Sequence, residues 1–128
     1  MIRGAQEMRE FENPDHWDMA AQRYEKTAHP FTELYAKAAL ARIRLGPGSR
    51  VLDVAAGTGA LALAAARTGA QVMATDFSPG MVARIAAAEL PNVEARVMDG
   101  QSLALPGGAF DAVFSIFGVI MFPDWRKG

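Results

Sequence analysis

Two kinds of apolar spacing divide the chain. Over residues 16–44 the apolar positions recur at helical intervals, with Trp17, Ala20 and Tyr24 followed by Phe31, Leu34, Tyr35 and Ala38. Pro30 suits the opening of a second helix, where its fixed φ and missing N–H cost nothing. Gly46-Pro47-Gly48 ends this region. Short apolar runs follow at 50–54, 71–75, 93–97 and 110–115, each bounded by turn residues and each predicted to be a strand. Between them lie an alanine-rich helix over 59–67 that stops at Gly69, and a helix capped by Ser78-Pro79 that runs to about residue 89 before Pro91. Residues 116–122 fit either a short helix or a continuation of the last strand. Strands alternating with helices at this spacing predict an α/β fold, a Rossmann-like doubly wound parallel sheet of about four strands preceded by N-terminal helices.

Composition narrows the function classes. The chain has 128 residues, 51% of them hydrophobic, with a formal net charge of −1, so nothing electrostatic favours nucleic acid or an anionic membrane. There is no cysteine, hence no disulfide framework, thiolate metal site or cysteine nucleophile. Carboxylates are scattered and the two histidines, His16 and His29, stand apart from them, so no metal site is expected. Residues 1–15 read as a polar, poorly ordered lead and 16–128 as the folded domain. The first residues, Met1-Ile2-Arg3-Gly4-Ala5-Gln6-Glu7, lack the apolar core of a signal peptide. The apolar stretch 109–122 is interrupted by Asp111 and is too short to span a bilayer. The expected location is the cytoplasm.

The candidate chemistry lies in Val51-Leu52-Asp53-Val54-Ala55-Ala56-Gly57-Thr58-Gly59, an apolar strand running into a glycine-rich turn and a helix start. Glycine there lets a ligand approach the backbone, and the helix behind it offers free N–H groups. Gly57-x-Gly59-x-x-Ala62 satisfies the loose dinucleotide fingerprint, with Asp76 at about the distance of a ribose-binding acid. The plainer reading is a strand-to-helix turn with no ligand. Asp53 is a carboxylate inside a strand, where it adds nothing to packing and would serve a cationic ligand group. In a parallel sheet, ligands sit beyond the carboxyl ends of the strands, and Asp53, Gly57, Asp76, Asp99 and Ser115 all fall at or near such ends. Asp76 could accept both hydroxyls of a ribose. Asp99 could meet an adenine amino group or simply start a turn, and Phe77 and Met81 could line an adenine slot or belong to the core.

These stretches, with Ala74-Thr75-Asp76-Phe77-Ser78-Pro79-Gly80-Met81, Met98-Asp99-Gly100, Leu105-Pro106 and Phe110-Asp111-Ala112-Val113-Phe114-Ser115, resemble the class I S-adenosylmethionine-dependent methyltransferases. The likeness is to the small-molecule branch that includes quinone-biosynthesis enzymes, and it covers residues 16 onward. It implies S-adenosylmethionine as cofactor, S-adenosylhomocysteine as product and a small-molecule acceptor. It also implies that Asp53, Ala55 and the Gly57-Thr58-Gly59 loop hold the methionine moiety, and that Asp76 takes the ribose. Phe77 and Met81 would pack on adenine, Asp99 would bind its amino group, Gly100, Gln101 and Ser115 would close the pocket, and Tyr24 would belong to a cofactor-covering helix. Ala55 stands where the family often has glycine, which is acceptable if Ala55 keeps a negative φ.

The family's sheet has seven strands, and this sequence stops after its fourth. The fourth strand is then an apolar edge, and such edges recruit other chains. Self-association, or pairing with a partner chain, is expected through the segment from Phe110 to Phe122. Methyl transfer from a sulfonium rests on approach and exclusion of water, so no catalytic residue is assigned, although His16 or His29 could act as a base. Two other functions fit less of the pattern. One is a non-catalytic S-adenosylmethionine-binding or interaction half-domain, and the other is a nicotinamide-dependent oxidoreductase, which leaves Asp53 and the Asp99–Ser115 stretch unexplained.

Overall fold

The computed structural model describes residues 7–128. Helices α1 (Pro14–Thr27) and α2 (His29–Leu40) lead into strand β1 (Arg50–Val54), helix α3 (Ala60–Ala66), β2 (Gln71–Asp76), α4 (Pro79–Ala86), β3 (Val93–Val97) and β4 (Ala112–Phe114). The four strands form one parallel sheet in the order β3-β2-β1-β4. The order steps outward from β1 through β2 to β3 and then returns to the other side of β1. That return makes a topological switch point beside β1, where open α/β sheets bind ligands.

Register explains which side chains become core. Val51 lies opposite Val72 and Ala112, and Val72 opposite Val93, so one face of the sheet carries Val51, Asp53, Val72, Ala74 and Ala95. This face meets α3, whose alanines let helix and sheet approach closely, and Val51, Leu61, Ala62, Ala65, Val72, Ala74 and Ile85 make one buried cluster. Right-handed crossovers running in a single direction set α3 and α4 on the same face. Helix α2 packs on α3, and α1 on α4. From β3 to β4 the chain crosses over through residues 98–111 without a helix.

Local chemistry fixes the element ends. The Asn13 side chain accepts a hydrogen bond from the Asp15 N–H and Pro14 occupies the first turn of α1. Ser78 caps α4 by accepting from Met81 N, as its sequence suggests. The N-terminal lead is more structured than expected. Residues Glu10–Glu12 form a 3-10 turn, Trp17 Nε1 donates to Phe11 O at 2.9 Å, and α1 starts two residues before His16. Residues 1–6 lie outside the described part. Strand β4 is shorter than its apolar run because at Asp111 the side chain joins the ladder: Asp111 Oδ2 accepts from Arg50 N at 2.8 Å. Residues 116–122 resolve into a 3-10 turn at Val119–Met121. Strand β4 is an edge, and Val113 on its outer face is 61% exposed.

Candidate functional site

A cavity of about 200 Å³ opens at the carboxyl ends of β1 and β2. Tyr24, Ala55, Gly57, Asp76, Phe77, Met81, Asp99, Gly100 and Gln101 line it, so nine of the thirteen sequence-predicted residues come together. Asp76 is the best-built of them. Its Oδ2 accepts from Gly57 N at 2.9 Å and its Oδ1 from Ser78 N at 3.0 Å, which locks the carboxylate between the glycine loop and the start of α4. Burial pushes the Asp76 carboxyl above the usual range, while the Ser78 and Gly57 N–H groups pull it back and the nearby Asp18 raises it. Each oxygen still has a lone pair for a ligand hydroxyl.

Gly57 (φ +58°) and Gly59 (φ +88°) are both left-handed, so the turn needs residues without a Cβ. A Cβ on Gly57 would reach 3.6 Å from the Tyr24 ring, so the loop and α1 face each other across the cavity edge. Met81 is buried and Phe77 half-buried, and together with Met98 they make the apolar side. Asp99 is exposed; its Oδ1 accepts from Gln101 N at 2.9 Å, which turns the chain at Gly100.

Four predicted residues lie elsewhere. Asp53 is 1% exposed, faces α3 rather than the cavity, and accepts from Ala62 N at 3.0 Å. Desolvation pushes its carboxyl up to about 8, against the pull of the Ala62 N–H and with a further push from Asp76. It supports the loop from beneath. Thr58 is buried and bonds the imidazole of His29, Oγ1 to Nδ1 at 2.7 Å, so His29 ties α2 to the loop. Gly59 packs against Ile85 and Leu63, where a Cβ would sit 3.0 Å from the Ile85 side chain. Ser115 borders a neighbouring hollow with Tyr35, Ile116, Phe117, Val119 and Ile120, and its buried Oγ has no hydrogen-bond partner. Ala55 is the clear correction. Its φ is +55°, so the negative φ on which alanine was acceptable there is not kept, because the loop's turn begins at this position whatever residue occupies it.

The sequence reading passed over several wall residues. Phe11 and Glu12 lay in the supposed lead, although the Asn13-Pro14 helix-start signal stood just behind them. Ile116, Phe117, Gly118, Met121 and Phe122 close the other side, in a segment with no periodicity to orient it. Phe117 is also left-handed (φ +62°), and its ring meets those of Tyr35 and Phe31 at centroid distances of 4.9 and 6.5 Å. The Phe122 ring lies in the space that a Cβ on Gly100 would need. The cavity is consequently smaller than the roughly 300–1,000 Å³ of common small-molecule sites. Among the described residues no cluster of His, Asp and Glu could hold a metal, and no helix is long and apolar enough to cross a membrane.

Known proteins resemble this chain in sequence and in fold. The methyltransferase domain family profile fits residues 51–128. A demethylmenaquinone methyltransferase of Corynebacterium efficiens is 41% identical over 87 residues, covering 68% of this chain and 36% of that protein. Among solved structures, the DhpI–SAH complex superposes with a TM-score of 0.64 at 34% identity, over 80% of this chain and 50% of that one. A methyltransferase of Haloferax volcanii, in complex with the Trm112 activator, superposes with a TM-score of 0.78 at 26% identity, over 87% and 51%. The chain spans about a third of the length of the curated relatives it matches.

Proposed function

The chain belongs to the methyltransferase domain family, and from that membership we propose that it binds S-adenosylmethionine and directs its methyl group to a small, largely apolar acceptor. One observation carries the reading. The buried Asp76 carboxylate, held by Gly57 and Ser78 amides at the carboxyl end of β2, shares a cavity with an apolar slot of Phe77, Met81 and Met98. A ribose with an adenine ring is a ligand that uses both parts. When bound, the cofactor supplies an already activated methyl on a sulfonium. The protein's share is then to orient, desolvate and exclude water. Asp76 would hold the ribose hydroxyls, Phe77, Met81 and Met98 would give the base an apolar slot, and Gly57 would let the ligand approach the backbone. Asp99 and Gln101 would supply polar groups to the adenine, and Tyr24 would cover the cavity from α1. Asp53 and Thr58 act from below by fixing the loop.

On the acceptor side, the exposed rings of Phe31, Tyr35 and Phe117 adjoin the cavity through Phe117. An aromatic surface suits a planar apolar acceptor, and a quinone-type ring agrees with what the Corynebacterium relative is named for. Transfer of labelled methyl from S-adenosylmethionine to a panel of demethylated quinols and other phenols tests this. Transfer to one of them supports the proposal. Tight S-adenosylhomocysteine binding with no transfer to any would favour the non-catalytic binding module instead. Binding of NADH in place of S-adenosylhomocysteine would favour the oxidoreductase.

A further inference from the structure

Helix α1 contributes two cavity walls, Trp17 and Tyr24, and among the described residues their polar atoms bond Phe11 O and Thr32 Oγ1 rather than the sheet. The fastening lies beside them. Asp18 Oδ1 accepts from Ser78 Oγ at 2.5 Å and from Gly80 N at 2.6 Å, so a carboxylate from α1 serves the first turn of α4. The contact is close on the backbone as well: a Cβ on Gly80 would stand 2.8 Å from Asp18 Cα. Ser78 is fully buried, and its own N–H donates to Asp76 Oδ1. One chain of hydrogen bonds therefore joins α1 to the carboxylate at the centre of the cavity.

From this geometry we infer that Asp18 is a positioning residue. It anchors α1 against α4 so that Trp17 and Tyr24 stand over the cavity, and through Ser78 it fixes the orientation of Asp76. Asp18 does not itself line the cavity. The ligand part of this inference rests on the cofactor reading above; the anchoring part does not.

The test compares the full chain with Asp18→Ala and Asp18→Asn, using S-adenosylhomocysteine as probe. Asparagine keeps an oxygen that can accept from Ser78 and Gly80; alanine does not. Two readouts are taken: affinity by calorimetry, and amide hydrogen exchange along the chain without ligand. Asp18→Ala should weaken binding about tenfold or more, on the strength of charge-assisted hydrogen bonds. It should speed exchange in α1 while leaving β1 and β2 protected, and Asp18→Asn should restore affinity to within about threefold. Unchanged affinity and exchange in Asp18→Ala would overturn the inference. So would exchange that rises equally in β1 and β2, since that marks general destabilisation. If Asp18→Ala fails to fold, Gly80→Ala replaces it, pushing α1 away from the other side and expected to loosen α1 in the same local pattern. If the wild-type chain binds no S-adenosylhomocysteine, the cofactor reading falls. The exchange pattern then decides the anchor alone, with local loosening of α1 for it and none against it.

Discussion

Ala55 is where the backbone of the glycine-rich loop works against its own residue. At φ +55° an L-residue brings Cβ close to the following carbonyl, a cost of roughly 1–2 kcal/mol that glycine does not carry. Glycine in turn loses more conformational entropy on folding, about 0.5–1 kcal/mol relative to alanine. Ala55→Gly should therefore stabilise the fold by about 0.5–1 kcal/mol. For a chain of 128 residues that is a rise of roughly 2–5 °C in Tm. The Ala55 methyl also has a neighbour. A Cβ on Gly118 would overlap it, and would come within 2.9 Å of Ser115 Oγ. Gly118→Ala alone should thus be destabilising by about 1–3 kcal/mol through overpacking. In the Ala55→Gly background part of that penalty should disappear, giving a favourable coupling in a double-mutant cycle. Thermal and urea unfolding of the four proteins measures both quantities. A lower or unchanged Tm for Ala55→Gly would refute the strain argument. Strict additivity with Gly118→Ala would refute the contact.

Other perturbations probe separate parts of the site. With Asp53 pushed up to about 8 from an ordinary value of 3.8, the folded state holds a proton that the unfolded chain releases, so the contribution of Asp53 to stability is full below the ordinary value and is lost as pH rises through about 8. Asp53→Asn should flatten this slope in urea midpoints taken from pH 5 to 9, as checked against wild type; an unchanged slope would mean Asp53 is not its source. His29→Ala should cost about 1 kcal/mol by leaving the buried Thr58 hydroxyl unpaired, measured by urea unfolding, and His29→Asn should recover part of it.

The sequence carried the strands and the loop because their signals are local. Each strand is a short apolar run between turn residues, and Ser78-Pro79 and Pro30 announce the starts of α4 and α2 within one turn of their observed positions. The clustering of Gly57, Asp76, Phe77 and Asp99 followed from their places at or just beyond strand ends, whereas Met81 reaches the cavity from the first turn of α4. What stayed hidden depends on contacts far apart in the chain. Asp18 finds Ser78 across 60 residues of sequence, and Phe122 comes to rest on Gly100, with no periodicity announcing either. Asp53 was legible in part. It shares a sheet face with Val51, so strand alternation already directs it under α3 rather than into a cavity. The φ of Ala55 was not legible, because residue type alone argued for the opposite sign.

Whether Asp76 and the glycine loop form an adenosine-type pocket is decided by calorimetric titration of the wild-type chain and of Asp76→Ala with S-adenosylhomocysteine. Saturable binding at one ligand per chain is expected, weakened roughly 10- to 100-fold by the substitution. A folded wild-type chain that takes up no S-adenosylhomocysteine, or an Asp76→Ala variant that binds it equally well, would rule the pocket out.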